Sequence, residues 1–177
     1  MSKRFKLYNV NLKYIRNLHK IDDNVPSVSP QRGKAIRPFL GIIVLINGSN
    51  FCIPFTSNSD KKNNKFKSMR ENITFRKICD KDGKVLAGLN LNNMIPVREE
   101  YIKEIDLKIR QADTPELKRW KKLCIKELDW CQAHQGEIER LANELYRIYT
   151  SGEPFGKRKI CLNFPALERE CDKAREL

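Results

Sequence analysis

The sequence has 177 residues, the length of one ordinary domain, with 40% apolar and 32% charged residues. This composition excludes a disordered chain, and the longest apolar run, Phe39–Ile46, is too short to cross a membrane. The N-terminal residues lack the apolar stretch of a secretory signal, so a cytoplasmic location is expected. The net charge of +13 favours an acidic partner.

The first half of the chain is predicted to form short strands joined by tight turns. Asn47-Gly48 is a preferred dipeptide of type I′ hairpin turns, and it follows the β-branched run Phe39–Ile46. Asp82-Gly83 predicts a second hairpin in the same way. The apolar spacing over Leu12–Ile21 predicts an amphipathic helix. The predicted strands cover residues 5–10, 39–46, 50–55, 73–79, 85–91 and 92–97.

The second half is predicted to be helical. Thr114-Pro115 is a good helix start, because threonine caps the first turn and proline is tolerated within it. Apolar residues then recur at helical spacing, which predicts one long amphipathic helix with an interruption near Gly136. A terminal helix is predicted from Pro165. The whole chain, residues 1–177, is therefore predicted to be one α+β domain, with helices packed on a small, strongly bent antiparallel sheet or barrel.

The six cysteines do not form a disulfide or zinc pattern. No C-x-x-C pair occurs, and only His19 and His134 could supplement the thiols as metal ligands. Both histidines lie in helical patterns, which favours a structural role. We expect reduced, mostly buried thiols, no metal and no cofactor. The cysteines are Cys52, Cys79, Cys124, Cys131, Cys161 and Cys171.

The positive charge is confined to one half of the chain. Residues 1–98 carry 19 basic and 6 acidic side chains, whereas residues 99–177 carry 16 of each. Nucleic acid is the usual target of so polarised a patch, because each neutralised phosphate releases counterions. A solvated basic face without a partner is the alternative. A DNA-binding regulator is disfavoured, since no helix-turn-helix pattern lies in the basic half.

Common catalytic motifs are missing, but two polar segments could meet beside the first hairpin. The sequence has no G-x-S-x-G, P-loop, H-E-x-x-H or G-x-G-x-x-G motif. A loop rich in hydroxyl groups and lysines begins at Thr56-Ser57, and a second loop, with Arg32 and Lys34, leads to Arg37. Because Arg37 and Thr56 bracket one hairpin, we expect them to meet at the open end of the sheet.

Such a set of side chains suits the cleavage of RNA. RNA carries its own nucleophile, the 2′-hydroxyl, so cleavage needs neither a metal nor an enzyme nucleophile. It needs a group that takes or orients the 2′ proton, cations around the phosphorane and a donor for the leaving 5′ oxygen. Lysine and arginine supply charge, and serine and threonine supply hydrogen bonds. The alternative is a polar loop with solvated lysines, which is the commoner case for such loops.

Aromatic residues next to cations could bind RNA bases. Tyr14, beside Lys13, could stack on splayed bases, whereas Tyr8 is expected to be a half-buried edge residue. Trp120 and Trp130 are expected in the core or in an interface.

Four blocks of the sequence follow one another in a specific order. They are IDDNVP (21–26), RPFLGIIVLINGSNFCIPFTS (37–57), GLNLNNMIPV (88–97) and ADTPELKRWKKLCIKELDWCQAH (112–134). Together they resemble the ToxN/AbiQ family, and within it the CptN branch, over residues 5–149. Members of this family are endoribonuclease toxins of type III toxin–antitoxin systems, whose antitoxin is RNA.

This resemblance has implications for the fold and the chemistry. It implies a strongly bent sheet with helices, similar to the MazF/Kid barrel. It also implies metal-independent cleavage that leaves a 2′,3′-cyclic phosphate and a 5′-hydroxyl. The family's Thr-Ser pair falls on Thr56 and Ser57, and the basic residue before its F-x-G strand, often lysine, falls on Arg37.

The sequence departs from the family pattern at two places. Ser59 stands where the family has lysine, so Lys61 or Lys62 would have to take that role. A tyrosine that the family has in the upstream loop is absent, and this chain has Arg32 and Lys34 there. The candidate catalytic residues are Ser57, Thr56, Arg37, Lys34 and Lys61. The candidate RNA-binding residues are Lys13, Tyr14, Arg32, Lys62, Lys65, Lys67, Arg70, Lys118, Lys121 and Lys122.

The leading hypothesis is a sequence-selective endoribonuclease toxin that causes growth arrest or phage defence by abortive infection. It would be inhibited by a cognate antitoxin RNA with pseudoknotted repeat units, which it also processes, and cellular mRNA would be its substrate. Toxin and RNA are expected to assemble into a closed hetero-oligomer, away from membranes. The alternative is a non-catalytic RNA-binding protein.

Overall fold

The computed structural model describes residues 3–26, 39–57 and 66–173. Within these ranges the chain forms seven strands and four α-helices, with three short 3-10 turns. The strands are β1 (Tyr8–Val10), β2 (Phe39–Ile46), β3 (Ser49–Ser57), β4 (Phe75–Cys79), β5 (Val85–Asn90), β6 (Ile95–Pro96) and β7 (Ile102–Glu104). The helices are α1 (Leu12–Ile21), α2 (Pro115–Ala133), α3 (Gln135–Ser151) and α4 (Phe164–Lys173).

The strands form one antiparallel sheet in which β3 is the central element. The order is β4-β5-β3-β2-β1-β7, with β6 also paired to β3. β3 pairs with β2 as far as Pro54, and then with β5 over its last three residues, Phe55, Thr56 and Ser57. The described sheet is open, with β4 and β7 at its edges. The predicted α+β class is confirmed, and of the two predicted forms the sheet, rather than a closed barrel, is present.

The two predicted hairpins are confirmed, and they use different turns. Asn47 and Gly48 both have positive φ, at 48° and 80°, as a type I′ turn requires. In the second hairpin Gly83 has φ 79° and Asp82 keeps a negative φ, so this turn is not of type I′. It is also longer, because β4 ends at Cys79 and β5 begins only at Val85. The pairing of β4 with β5 shifts by one residue at this end, since Ile78 is opposite Ala87 but Cys79 is opposite Val85.

The helices agree with the predicted periodicity in most respects. α1 has the predicted bounds, with the Asn11 side chain accepting a hydrogen bond from the Tyr14 amide. Thr114 caps α2 as predicted. The predicted long helix is two helices, because the chain breaks at His134, two residues before the predicted interruption at Gly136. His134 Nδ1 contacts the Trp130 carbonyl at 2.8 Å and its ring stacks on Trp130, a structural role.

The joint between α2 and α3 also holds the N-terminal segment. The Phe5 amide donates to Gln135 Oε1 at 3.0 Å, and its carbonyl accepts from Gln132 Nε2 at 2.8 Å. Gln135 Nε2 also donates to the Lys3 carbonyl at 2.8 Å. Because side chains take these backbone bonds, the first strand begins at Tyr8 and not at residue 5 as predicted.

The helices cover one continuous apolar core. α2 packs on β4 and β5, α3 on β2, and α4 on α1 and β6. Phe51 of β3 meets Phe164 of α4 edge to face at 6.3 Å. All six thiols are free, and five of them are buried, as predicted. In the part of the chain that the structure describes, no helix is long and apolar enough to cross a membrane.

Candidate functional site

Thr56 and Ser57 lie at the end of β3, beyond the last residue that pairs with β2. In their register on β5, Thr56 is opposite Gly88 and Ser57 is opposite Ala87. Thr56 is exposed, and its Oγ1 accepts a hydrogen bond of 2.6 Å from Asn90 Nδ2. This hydroxyl therefore projects from a fixed backbone into a solvent-accessible position.

The sheet gives Thr56 a basic neighbour on the same face. Thr56 pairs with Gly88, and Gly88 pairs in turn with Lys77 of β4. Paired residues of antiparallel strands project to the same face, so the Thr56 and Lys77 side chains share one side of the sheet. Two strand spacings put their backbones about 10 Å apart. Gly88, which lies between them, adds no side chain to this row.

Phe66, nine positions after Ser57 in the sequence, packs on this face. The Phe66 and Phe75 rings pack with their centroids 5.4 Å apart, in the space that Gly88 leaves open. A Cβ on Gly88 would lie 2.5 Å from the Phe75 ring and 3.1 Å from the Phe66 ring. Lys77 Nζ then donates to the Lys67 carbonyl at 2.9 Å. Residues 66–67 are thus fastened to the face that carries Thr56.

Two of the predicted RNA-binding residues lie on this returning segment. Lys67 and Arg70 are both exposed, next to the buried Phe66. The structure therefore holds the Lys67 backbone on the sheet face of Thr56, through the bond from Lys77 Nζ to its carbonyl. Whether Lys67 and Arg70 contact RNA stays a prediction.

Several predicted residues lie outside the described part of the chain. Ser57 is described through its backbone pairing alone. The roles assigned to Ser57 and to the residues outside the described ranges stay predictions. Those outside the described ranges are Arg32, Lys34, Arg37, Lys61, Lys62 and Lys65.

The prediction that Tyr14 stacks on RNA bases is wrong for this fold. Tyr14 is 5% exposed, its hydroxyl donates to the Pro96 carbonyl at 2.6 Å, and its ring stacks on Tyr101 at 4.0 Å. Burial is the main cause that raises the pKa of Tyr14. Both its ring and its hydroxyl serve the fold, because α1 turns this side of its helix toward the core. Lys13, the preceding residue, is exposed on the outer side.

Lys121 is also a structural residue and not an RNA ligand. Its side chain is 7% exposed, and Nζ lies 2.9 Å from Asp113 Oδ2 and 2.8 Å from the Lys108 carbonyl. The Arg110 backbone amide and the Lys121 ammonium hold the pKa of Asp113 below its usual value. Lys121 therefore fastens the segment before α2 to the helix. Lys118 and Lys122 remain candidates, half-buried and exposed respectively.

The sequence interpretation missed three residues that shape the site. Asn90 and Lys77 are polar residues on strands, and nothing local shows that they reach Thr56 and the Lys67 carbonyl. Phe66 had a local signal, since it is an aromatic residue inside a polar, lysine-rich stretch of the sequence. No group of three or more His, Cys, Asp or Glu among the described residues could hold a metal ion.

The sequence comparisons match almost the whole chain. The family described as "Toxin ToxN, type III toxin-antitoxin system" matches residues 6–172. Endoribonuclease ToxN of Bacillus thuringiensis subsp. kurstaki is 30% identical over 176 residues, covering 97% of this chain and 84% of the relative. Endoribonuclease ToxN of Pectobacterium atrosepticum is 27% identical over 165 residues, covering 93% and 91%.

Solved structures show the same fold. A bacterial type III toxin, described with selective inhibition by a non-coding RNA pseudoknot, superposes with a TM-score of 0.77 at 27% identity, covering 99% of this chain and 100% of that one. AbiQ, a lactococcal anti-phage endoribonuclease of a type III system, gives a TM-score of 0.79 with the same coverages, and its 19% identity shows the fold alone. Fold and sequence thus define a class, the toxins of type III toxin–antitoxin systems. Within that class, the chain belongs to the ToxN toxin family, and the predicted resemblance is confirmed.

Proposed function

We propose that this chain is a metal-independent, sequence-selective endoribonuclease toxin, held inactive by a cognate antitoxin RNA. The observation that carries this proposal is the family match over residues 6–172, together with the two relatives named as endoribonucleases that the chain matches along most of their length. Its cellular effect is growth arrest or abortive infection, and its place of action is the cytoplasm.

The proposed reaction uses the substrate's own 2′-hydroxyl. The 2′ oxygen attacks the adjacent phosphorus and passes its proton to a general base, while the 5′ oxygen leaves with a proton from a general acid. The products are a 2′,3′-cyclic phosphate and a 5′-hydroxyl. Hydroxyl donors and cations stabilise the phosphorane. Thr56 and Ser57 are the proposed hydroxyl donors, and Arg37, Lys34 and Lys61 are the proposed cations. The exposed position of Thr56 at the end of β3, on the face that holds residues 66–67, supports this assignment.

The proposed partners are two kinds of RNA. Cellular mRNA is the substrate, and a repeated, folded antitoxin RNA is the inhibitor, which the toxin also processes and with which it forms a closed hetero-oligomer. Support comes from the type III toxin of similar fold, for which inhibition by a non-coding RNA pseudoknot is described. The basic first half of the chain, with 19 basic and 6 acidic residues, supplies the matching charge.

The test is the cleavage rate of Ser57→Ala, measured with and without EDTA on a substrate RNA found by mapping 5′ ends after induction. We expect a loss of about 100-fold or more in rate, unchanged binding of antitoxin RNA, and no effect of EDTA on the wild-type rate. Ser49→Ala, at the other end of β3, is the matched control and should cleave normally.

Three results would contradict the proposal. Cleavage by Ser57→Ala at the wild-type rate would remove Ser57 from the site. A rate that EDTA abolishes and magnesium restores would exclude the metal-independent reaction. Wild-type protein that binds RNA but never cleaves it would favour the alternative, a non-catalytic RNA-binding protein.

A further inference from the structure

Asn90 makes a side-chain contact with the candidate site that the sequence analysis does not predict. It is the last residue of β5, half-buried, and its Nδ2 lies 2.6 Å from Thr56 Oγ1. The two residues are 34 positions apart in the chain. On the adjacent strand Asn90 pairs with Phe75, whose ring packs against Phe66. The backbone of Asn90 is therefore fixed by the strand that carries Phe75, against which Phe66 packs.

The direction of this hydrogen bond has a chemical consequence. A threonine hydroxyl has one hydrogen to donate and two lone pairs that accept. When Asn90 donates to Oγ1, one lone pair is occupied and the hydroxyl hydrogen cannot point at the amide nitrogen. A hydroxyl that accepts a hydrogen bond also becomes a better donor, because the bonds polarise one another. The exposed side of Thr56 therefore presents a directed O–H.

We propose that Asn90 is a positioning residue that orients the Thr56 hydroxyl so that it donates to a nonbridging oxygen of the scissile phosphate. Asn90 acts through Thr56 and does not itself touch the substrate. This inference rests on the proposed function, because it requires Thr56 to contact the reacting phosphate. It adds the means by which the fold keeps that hydroxyl hydrogen available for RNA.

The test uses two substitutions at Asn90 with opposite effects on the hydrogen bond. Asn90→Ala removes the donor and leaves Thr56 free to rotate, and we expect kcat to fall about tenfold. Asn90→Asp keeps the shape but turns the donor into an acceptor, which draws the Thr56 hydrogen away from RNA. We expect kcat at saturating RNA to fall about 100-fold, as for the isosteric Thr56→Val. Asn93→Asp, three residues further along the chain, controls for the added negative charge.

A double-mutant cycle separates positioning from direct contact and from stability. If Asn90 acts only through Thr56, Asn90→Ala has no further effect on kcat in the Thr56→Val background. Thermal unfolding of each variant shows whether the sheet is intact, and Asn90→Asp, which keeps the side-chain shape, remains informative if Asn90→Ala is unstable.

Two groups of results would overturn the inference. Suppose that Thr56→Val is slow but Asn90→Asp cleaves at the wild-type rate. Cleavage would then proceed while Thr56 donates to residue 90, so the positioning role would be wrong and the proposed function would stand. Additive effects in the cycle would likewise mean that Asn90 contacts RNA directly or acts on its own. If Thr56→Val cleaves normally, Thr56 has no catalytic role, and that part of the proposed function falls together with this inference.

Discussion

Glu127 offers the sharpest test of the packing of the described core, because its carboxyl group is buried in apolar surroundings. It lies on α2, is 2% exposed, and its Oε1 has no hydrogen-bond partner among the described residues. Burial raises the pKa of Glu127 to about 7. The neighbouring thiols, Cys124 and Cys131, are buried as well, and desolvation raises the pKa of each.

The pKa of Glu127 gives the sign and the size of its effect on stability. Below pH 4.5, the ordinary value for this carboxyl, it is protonated in both the folded and the unfolded chain and has no pH-dependent cost. As pH rises from there to about 7, the unfolded chain loses the proton first, so the free energy of unfolding falls. A pKa difference of about 2.5 corresponds to about 3 kcal/mol of lost stability above pH 7.

Urea unfolding of Glu127→Gln from pH 4 to pH 8 measures this effect. Glutamine cannot ionise, so we expect the variant to gain up to about 3 kcal/mol on the wild type between these limits, with most of the gain between pH 4.5 and 7. Glu116→Gln, on the exposed side of the same helix, is the matched control and should show no such gain. A difference between Glu127→Gln and the wild type that stays constant with pH would refute the reasoning.

Two further predictions concern the aromatic packing on Gly88 and the buried Lys121. Gly88→Ala places a Cβ against the Phe66 and Phe75 rings and should lower the free energy of unfolding by about 1–3 kcal/mol. Gly136→Ala, with open space around it, is the control and should not lower this free energy. Equal stability of both variants in urea would contradict the packing. Lys121→Ala should lower Tm by about 5 °C without changing the salt dependence of RNA affinity. Lys122→Ala should leave Tm unchanged and flatten that dependence by about 0.7 if it contacts phosphate, and the same change in Lys121→Ala would contradict its structural role.

Local signals explain which parts of the fold could be predicted. Asn47-Gly48 specifies its own turn, and the Thr114 cap and the spacing of Leu12–Ile21 specify helix starts and faces within a few residues. β7 (Ile102–Glu104) was not predicted, because a three-residue strand with two charged residues has no alternation to find. β7 forms because β1, more than 90 residues earlier in the chain, supplies its hydrogen-bond partners.

The candidate site, like the fold, has parts that local sequence signals predict and parts that they do not. Thr56 and Ser57 are candidates because they begin a hydroxyl-rich segment after a predicted strand and because the family resemblance marks them; their roles stay predictions. The burial of Lys121 has no local signal, since it depends on Asp113 and on the Lys108 carbonyl, which lie 8 and 13 positions earlier in the chain. The Asn90–Thr56 bond joins two strands whose register no short motif records. The single-domain division and the roles of the residues outside the described ranges stay predictions.

The hydrogen bonds between the α2–α3 junction and the N-terminal segment have a consequence for folding during synthesis. Residues 1–98 contain all the candidate catalytic residues, but the Phe5 backbone is bonded by Gln132 and Gln135, and β1 is flanked by β7. A nascent chain on the ribosome therefore cannot complete the sheet until residue 104 has emerged, nor fasten its first residues until residue 135 has emerged. Such long-range closure slows folding. The nuclease half thus reaches its final form only when most of the polypeptide has been synthesised.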